Sequence, residues 1–220
     1  MASGNRKKET AIPNYYVGYD PGGRGKFGAA ALREAGGSLT LTASEIVASV
    51  SGAVEFARGL GRSPVAAAID APLTWPTGPD RFRQVDRKLR SWYPSHKNRV
   101  MAPNSLMGSV VVQGPALAMA LTERFPSIVI SEAHPKLTCV ALGLLGIPAH
   151  QIFGRLGIEG TPSWNDDLLD AVVAAYVAWA AHNEAPGWAN LLRQIDDRDL
   201  LYPLGETRSV YYFPLREYPD

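Results

Sequence analysis

The run Tyr15-Tyr16-Val17-Gly18-Tyr19-Asp20 is mostly apolar and aromatic and ends in a carboxylate. It predicts a first strand, closed by the turn Pro21-Gly22-Gly23-Arg24-Gly25-Lys26. Phe27 to Arg33 and Leu39 to Ile46 follow as second and third strands, and the short connections favour hairpins. Val54, Phe56, Ala57 and Leu60 make a helix stripe that Gly59 and Gly61 stop. Val65-Ala66-Ala67-Ala68-Ile69-Asp70 shows no polar alternation, as expected of a central strand covered on both faces. Pro72 and Pro76 prevent its continuation. A strongly charged helix is predicted over 80–92 and an amphipathic one over 115–124, with a stretch between them, 95–114, that is loop in part. Ile128 to Glu132 reads as a fifth strand, and Pro135 opens a helix over 135–145. The longest helix is predicted over 165–182, where Ala171, Ala174, Ala175 and Ala178 permit close approach to a sheet. Ser209 to Phe213 fits a late extra strand. Three hairpin-linked strands followed by alternating helices and strands predict an α/β fold, a mixed five-stranded sheet with helices on both faces.

Composition adds bounds rather than a function. The 220 residues suit one domain over 14–215, with a disordered polar tail at 1–13 and a short tail at 216–220. Lys plus Arg (22) nearly balances Asp plus Glu (21), so any affinity for nucleic acid has to come from a local patch. No uninterrupted apolar run reaches ~18 residues, so a membrane span is not expected. Met1 to Thr10 is polar and basic, unlike a signal peptide. The single cysteine, Cys139, sits in an apolar run and reads as core filler, which fits a reducing, cytoplasmic setting.

The chemistry is suggested by the acids. Asp20, Asp70 and Glu132 each end a predicted strand, and in α/β sheets ligands gather outside the carboxyl ends of strands. Crowded like charges repel, and a divalent cation removes that repulsion. Hard cations such as Mg²⁺ take oxygen ligands, and no His/Cys cluster with zinc spacing is present in the sequence. On the longest helix Asp167 and Asp170 are three apart and share a face. Asp170 lies between Leu169 and Ala171, where an isolated carboxylate would be costly. Simpler roles exist for each acid. Asp20 and Asp70 precede Pro-containing turns, and Glu132 could cap the helix at Pro135. Ser163 with Asp166 resembles a capping box.

The stretch from Arg81 to Arg99 carries seven Lys or Arg residues against one acid, Asp86. Arg83, Arg87, Lys88, Arg90 and Lys97 are candidates for phosphate contacts, and Trp92 for stacking on a base. A solvated helix face with anchoring aromatics is the alternative, and Asp86 with Arg83 or Arg90 could be a helix pair.

Five motifs occur in order: Val17-Gly18-Tyr19-Asp20-Pro21-Gly22-Gly23, Ala68-Ile69-Asp70-Ala71-Pro72-Leu73, Arg-x-x-Asp-x-x-Leu-Arg over 83–90, Glu132-Ala133-His134-Pro135, and Asp167-Leu168-Leu169-Asp170-Ala171. The set resembles the family called domain of unknown function 429, over about residues 14 to 215. Members are described as predicted RNase H-like nucleases. The resemblance implies an RNase H-like fold and a metal site. It is similar more distantly to the Holliday-junction resolvases, which place acids on the first and fourth strands and a pair three apart on the last helix. Asp20, Asp70, Asp167 and Asp170 match that pattern; the fourth-strand acid is Asp rather than Glu, and Glu132 falls outside it.

The expectation is therefore hydrolysis of phosphodiester bonds in DNA or RNA, with two Mg²⁺ or Mn²⁺ ions about 4 Å apart held by Asp20, Asp70, Asp167 and Asp170, and Glu132 as a further ligand. Two other readings stay open. One is a non-catalytic domain that binds nucleic acid or protein. The other is a relative of actin-like ATPases, suggested by Asp20-Pro21-Gly22, although the chain is short for two such subdomains.

Overall fold

The structure is a computed structural model that describes residues 12–161, 165–194, 200–206, 208 and 210–215. Residues 1–11 of the tail expected at 1–13, the tail expected at 216–220, and the expected roles of Ser163 and Ser209 lie outside the described residues. In chain order the elements are β1 (Asn14–Asp20), β2 (Phe27–Ala35), β3 (Ser38–Val47), α1 (Val50–Arg58), β4 (Ala66–Ile69) and β5 (Trp75–Pro76). Then come α2 (Gln84–Trp92), α3 (Gly108–Arg124), β6 (Val129–Glu132), α4 (Pro135–Ala141), α5 (Ala149–Leu156) and β7 (Ile158–Glu159). The last are α6 (Asp166–His182), β8 (Trp188–Asn190), β9 (Leu200–Leu201) and β10 (Val210–Pro214).

The main sheet has eight strands in the order β7-β3-β2-β1-β4-β6-β10-β8, not the five expected. The expected five form its centre. Three more pair at its flanks: β10, which is the late extra strand expected over 209–213, and β7 and β8, two and three residues long. Strands so short carry no readable alternation. β1 and β2 are antiparallel, as are β2 and β3, while β1–β4 and β4–β6 are parallel. The sheet is thus mixed, with its antiparallel hairpins on one side of β1 and its crossovers on the other. That makes the β1/β4 boundary the switch point of the topology, where a crevice forms at the carboxyl ends.

Each face of the sheet carries its own core. Tyr16, Ala30, Ala66 and Ala68 pack with Ala171, Ala174, Ala175 and Ala178 of α6. The alternate residues Val17, Tyr19, Ala67 and Ile69 pack on the opposite side with Phe56 of α1 and Leu117 and Leu121 of α3. Alternation of side chains along each strand assigns every sheet residue to one of these faces. α3 begins at Gly108 and runs through Pro115, seven residues ahead of the expected start. Its proline forgoes one intrahelical bond, and burial of Gly114, Leu117, Ala118 and Leu121 holds the helix together across it. α2 starts at Gln84 rather than at Asp80.

Candidate metal centre and the ion network behind it

Asp20 and Asp70 stand side by side at the carboxyl edge of the sheet. β1 and β4 run parallel with Tyr19 opposite Ile69, and the Asp70 amide donates to the Tyr19 carbonyl at 2.8 Å. The next pair in register is therefore Asp20 with Asp70. Both share parity with Gly18 and Ala68, so both face α6.

Two glycines bring the helix down onto this pair. A Cβ on Gly18 would sit 2.0 Å from the Ala171 carbonyl oxygen and 2.1 Å from the Ala175 amide nitrogen. A Cβ on Gly28, the register partner of Asp20, would sit 2.2 Å from the Asp167 carbonyl oxygen. No other residue type fits at either place without moving α6. The helix is capped by Asn165, whose side chain accepts from the Asp167 amide at 2.8 Å. Asp167 and Asp170 are consequently carried to the sheet edge occupied by Asp20 and Asp70. Asp170 is buried, at 8% exposure, and Asp166 is exposed.

The carboxyls influence each other strongly. Burial, with the charges of Asp170 and Asp167 beside it, pushes Asp20 up to about 8. Burial, then Asp20, Asp170 and Glu132, holds Asp70 well above the usual carboxylate range. Burial raises Asp170 to about 6, although Lys136 pulls it down. Lys136 Nζ lies 3.1 Å from Asp170 Oδ2 and 3.9 Å from Asp166 Oδ2. Lys136 escaped the sequence reading. Its signal was a cation in the first turn of α4, where the helix dipole disfavours one.

Glu132 was expected among the metal ligands; it lines the same pocket as Asp20 and Asp70, but its carboxylate is already held by Arg83. β6 pairs with β4 so that Glu132 is opposite Ile69, not opposite Asp70. One residue of register turns its side chain to the other face of the sheet. There Arg83 binds it through two contacts of 2.7 Å, and the Leu73 amide donates to Oε2 at 2.9 Å. Arg83 also grips Asp86, with Nη2 2.7 Å from Oδ1 and Nε 3.0 Å from Oδ2, and donates to Thr74. Both Glu132 oxygens are thus engaged by a cation already in place.

The basic stretch divides likewise. Arg83 is 3% exposed and Trp92 9%, so neither forms the expected nucleic-acid surface. Arg90 turns to the carbonyls of Lys97 and Val100, at 2.6 and 2.8 Å, and holds the loop between α2 and α3. Lys88 lies over the Trp92 ring at 5.0 Å. Arg87 and Lys97 are exposed, with Arg87 paired to exposed Asp80 at 2.7 Å.

Among the described residues no three His, Cys, Asp or Glu side chains form a ready-made metal cage. The donor chemistry nonetheless fits a hard divalent ion. Asp20, Asp70, Asp167 and Asp170 offer only oxygen, and Lys136 alone among the described cations lies in ion-pair contact with any of them. Among the described residues no helix is long and apolar enough to cross a membrane.

Beside Asp20 and Asp70 opens a pocket of about 220 Å³, floored by Arg83, Asp86 and Glu132 and roofed by residues of the loop leading into α3.

No curated protein matches the chain. A Thermus thermophilus RuvC structure is 18% identical, with a TM-score of 0.44 over 78% of this chain and 97% of that one. A structure of T. thermophilus RuvC in complex with a Holliday junction substrate is 16% identical, with a TM-score of 0.45 over the same shares, 78% and 97%. A family model for proteins of unknown function, DUF429, matches residues 18–151, more than half of the chain and both the Asp20 and Asp70 motifs. The chain belongs to the DUF429 family.

Proposed function

We propose that the chain is a divalent-metal-dependent nuclease of the RNase H-like kind, which hydrolyses phosphodiester bonds at the edge where β1, β4 and α6 meet. One observation carries this reading. A Cβ at Gly18 or Gly28 would collide with the α6 backbone, so these two glycines allow the close approach that brings Asp167 and Asp170 toward Asp20 and Asp70. A protein that used these acids only as turn formers or caps would gain nothing from crowding them. Asp20, Asp70, Asp167 and Asp170 would hold Mg²⁺ or Mn²⁺. Such ions supply Lewis-acid stabilisation of phosphate charge and lower the pKa of bound water. Lys136 holds Asp170 and would bring a positive charge to a phosphate laid over the acids. Exposed Arg99 lines the pocket beside these acids, and Arg81, Arg87 and Lys97 of the same basic stretch are also exposed; such cations suit a phosphate backbone.

The test is Mn²⁺-dependent cleavage of labelled single-stranded, duplex, hybrid and branched nucleic acids. Asp20→Asn and Asp170→Asn should each abolish cleavage while circular dichroism stays unchanged. No cleavage by the parent protein across the panel, or equal cleavage by both variants, would refute the reading.

A further inference from the structure

The pocket beside the acids has a chemistry of its own. Its volume, about 220 Å³, lies below the ~300–1,000 Å³ of sites for drug-sized ligands. It admits one small ring and not a base pair. Its roof is apolar, made by Val100, Met101, Leu106 and Val110. Gly114 sets the height of that roof, because a Cβ there would meet the Ala71 Cβ at 2.3 Å, so α3 lies directly on the loop that follows Asp70.

The floor is ionic and one-sided. An arginine has five N–H donors. Here Nε donates to Asp86, Nη1 to Glu132 and Thr74, and Nη2 to Asp86 and Glu132. No Arg83 donor is left for a ligand. An oxygen of a carboxylate takes two hydrogen bonds; Glu132 Oε2 and Asp86 Oδ2 already accept two each, while Glu132 Oε1 and Asp86 Oδ1 accept one each and keep room for one more. Arg83, Asp86 and Glu132 therefore offer a ligand two acceptor sites and no donor, and Tyr211 and His134 stand beside them in the same lining. Exposed Arg99 stands at the wall, and Asp20 and Asp70 form the remaining side.

A flat ring with N–H groups, joined to a phosphate, satisfies all of these features at once. We propose that the pocket receives a single unstacked, amino-bearing nucleobase of the strand being cut, with its phosphate over Asp20 and Asp70. This rests on the nuclease reading and deepens it, because it makes the substrate single-stranded or locally opened DNA or RNA. An enzyme that takes one base out of the stack reads it by hydrogen bonds and apolar contact, and single-stranded substrate costs least to present that way.

The experiment has a binding arm and a cleavage arm. In the first, a single-stranded oligonucleotide carrying one 2-aminopurine is titrated with the protein in the absence of metal. Its fluorescence should rise on binding. Met101→Trp, a roof residue 46% exposed and so free to enlarge, should suppress the rise, whereas Val112→Trp on the outer face of α3, 68% exposed, should not. In the second arm, an abasic site moved along the strand should slow cleavage by roughly tenfold at one position only. Cleavage equal on abasic and intact strands, or Met101→Trp and Val112→Trp behaving alike, would overturn the base pocket and leave the nuclease intact. Base capture lost in Met101→Trp, with no cleavage by any protein, would uphold the pocket and sink the nuclease reading.

Discussion

Two groups of carboxylates occupy the same edge of one sheet, on opposite faces, and their circumstances differ. On the face away from α6, Glu132 and Asp86 share the guanidinium of Arg83, and all three are less than 5% exposed. On the α6 face, Asp20, Asp70, Asp167 and Asp170 crowd together with Lys136 in contact with Asp170. In the first group one guanidinium holds both carboxylates and ties the loop after Asp70 to β6 and α2 through Leu73 and Thr74. The second is unfinished in charge, and its repulsion is sustained by the packing of α6 on two glycines. Buried charge that is matched serves the fold, while buried charge left unmatched invites a ligand.

Removing the matched cation gives the largest expected effect. Arg83→Met leaves two buried carboxylates without their partner and should cost roughly 3–5 kcal/mol in a denaturant titration. Asp70→Asn, an equally drastic change on the other face, should not destabilise the metal-free protein, because it relieves repulsion. If the two variants lost similar stability, the distinction between the groups would fail.

Next come the glycines. Gly18→Ala puts a methyl into helix backbone at 2.0 Å and should cost about 1–3 kcal/mol or more. Gly28→Ala presses on the Asp167 carbonyl and should also weaken Mn²⁺ binding, which thermal shift with and without Mn²⁺ would show.

A smaller, graded effect follows from pH. The Asp20 and Asp170 carboxyls are raised in the folded protein, to about 8 and about 6, above an unfolded value near 4. Between those values the folded state binds more protons than the unfolded one, so stability falls as pH rises. Metal-free protein should therefore lose stability from about pH 4 to about pH 8. Asp20→Asn should flatten the fall, and Mn²⁺ should reverse it. A flat profile in the parent would contradict the crowding.

The smallest effect belongs to the surface. Arg87→Ala breaks an exposed pair with Asp80 and should change stability by no more than ~0.5 kcal/mol. It should weaken nucleic-acid binding chiefly at low salt.

Much of this was legible in the sequence. The three early strands, the buried run ending at Asp70 and the alanine-rich last helix carry strong local patterns, and the structure has them at nearly those bounds. The spacing of Asp167 and Asp170 placed both on one helix face without any knowledge of tertiary structure. What failed depended on relations between segments. Glu132 ends its strand as Asp70 does, but strand register is set by pairing, and a shift of one residue reverses the face. Arg83 looked like its neighbours on a charged helix, and only its partners on β6 and in the loop after β4 show that it is buried. Gly18 and Gly28 read as ordinary strand glycines until α6 lies across them. Pro115 marked a helix start by local rule, and the apolar contacts of α3 override that rule.

The most direct test of the central claim is calorimetric titration of Mn²⁺ into the parent protein, Asp20→Asn, Asp170→Asn and Glu132→Gln. Binding should be lost in both aspartate variants and kept in Glu132→Gln, provided the last remains folded by circular dichroism. Binding unchanged in Asp20→Asn and Asp170→Asn, or abolished in a folded Glu132→Gln, would contradict the assignment of the metal to the α6 face.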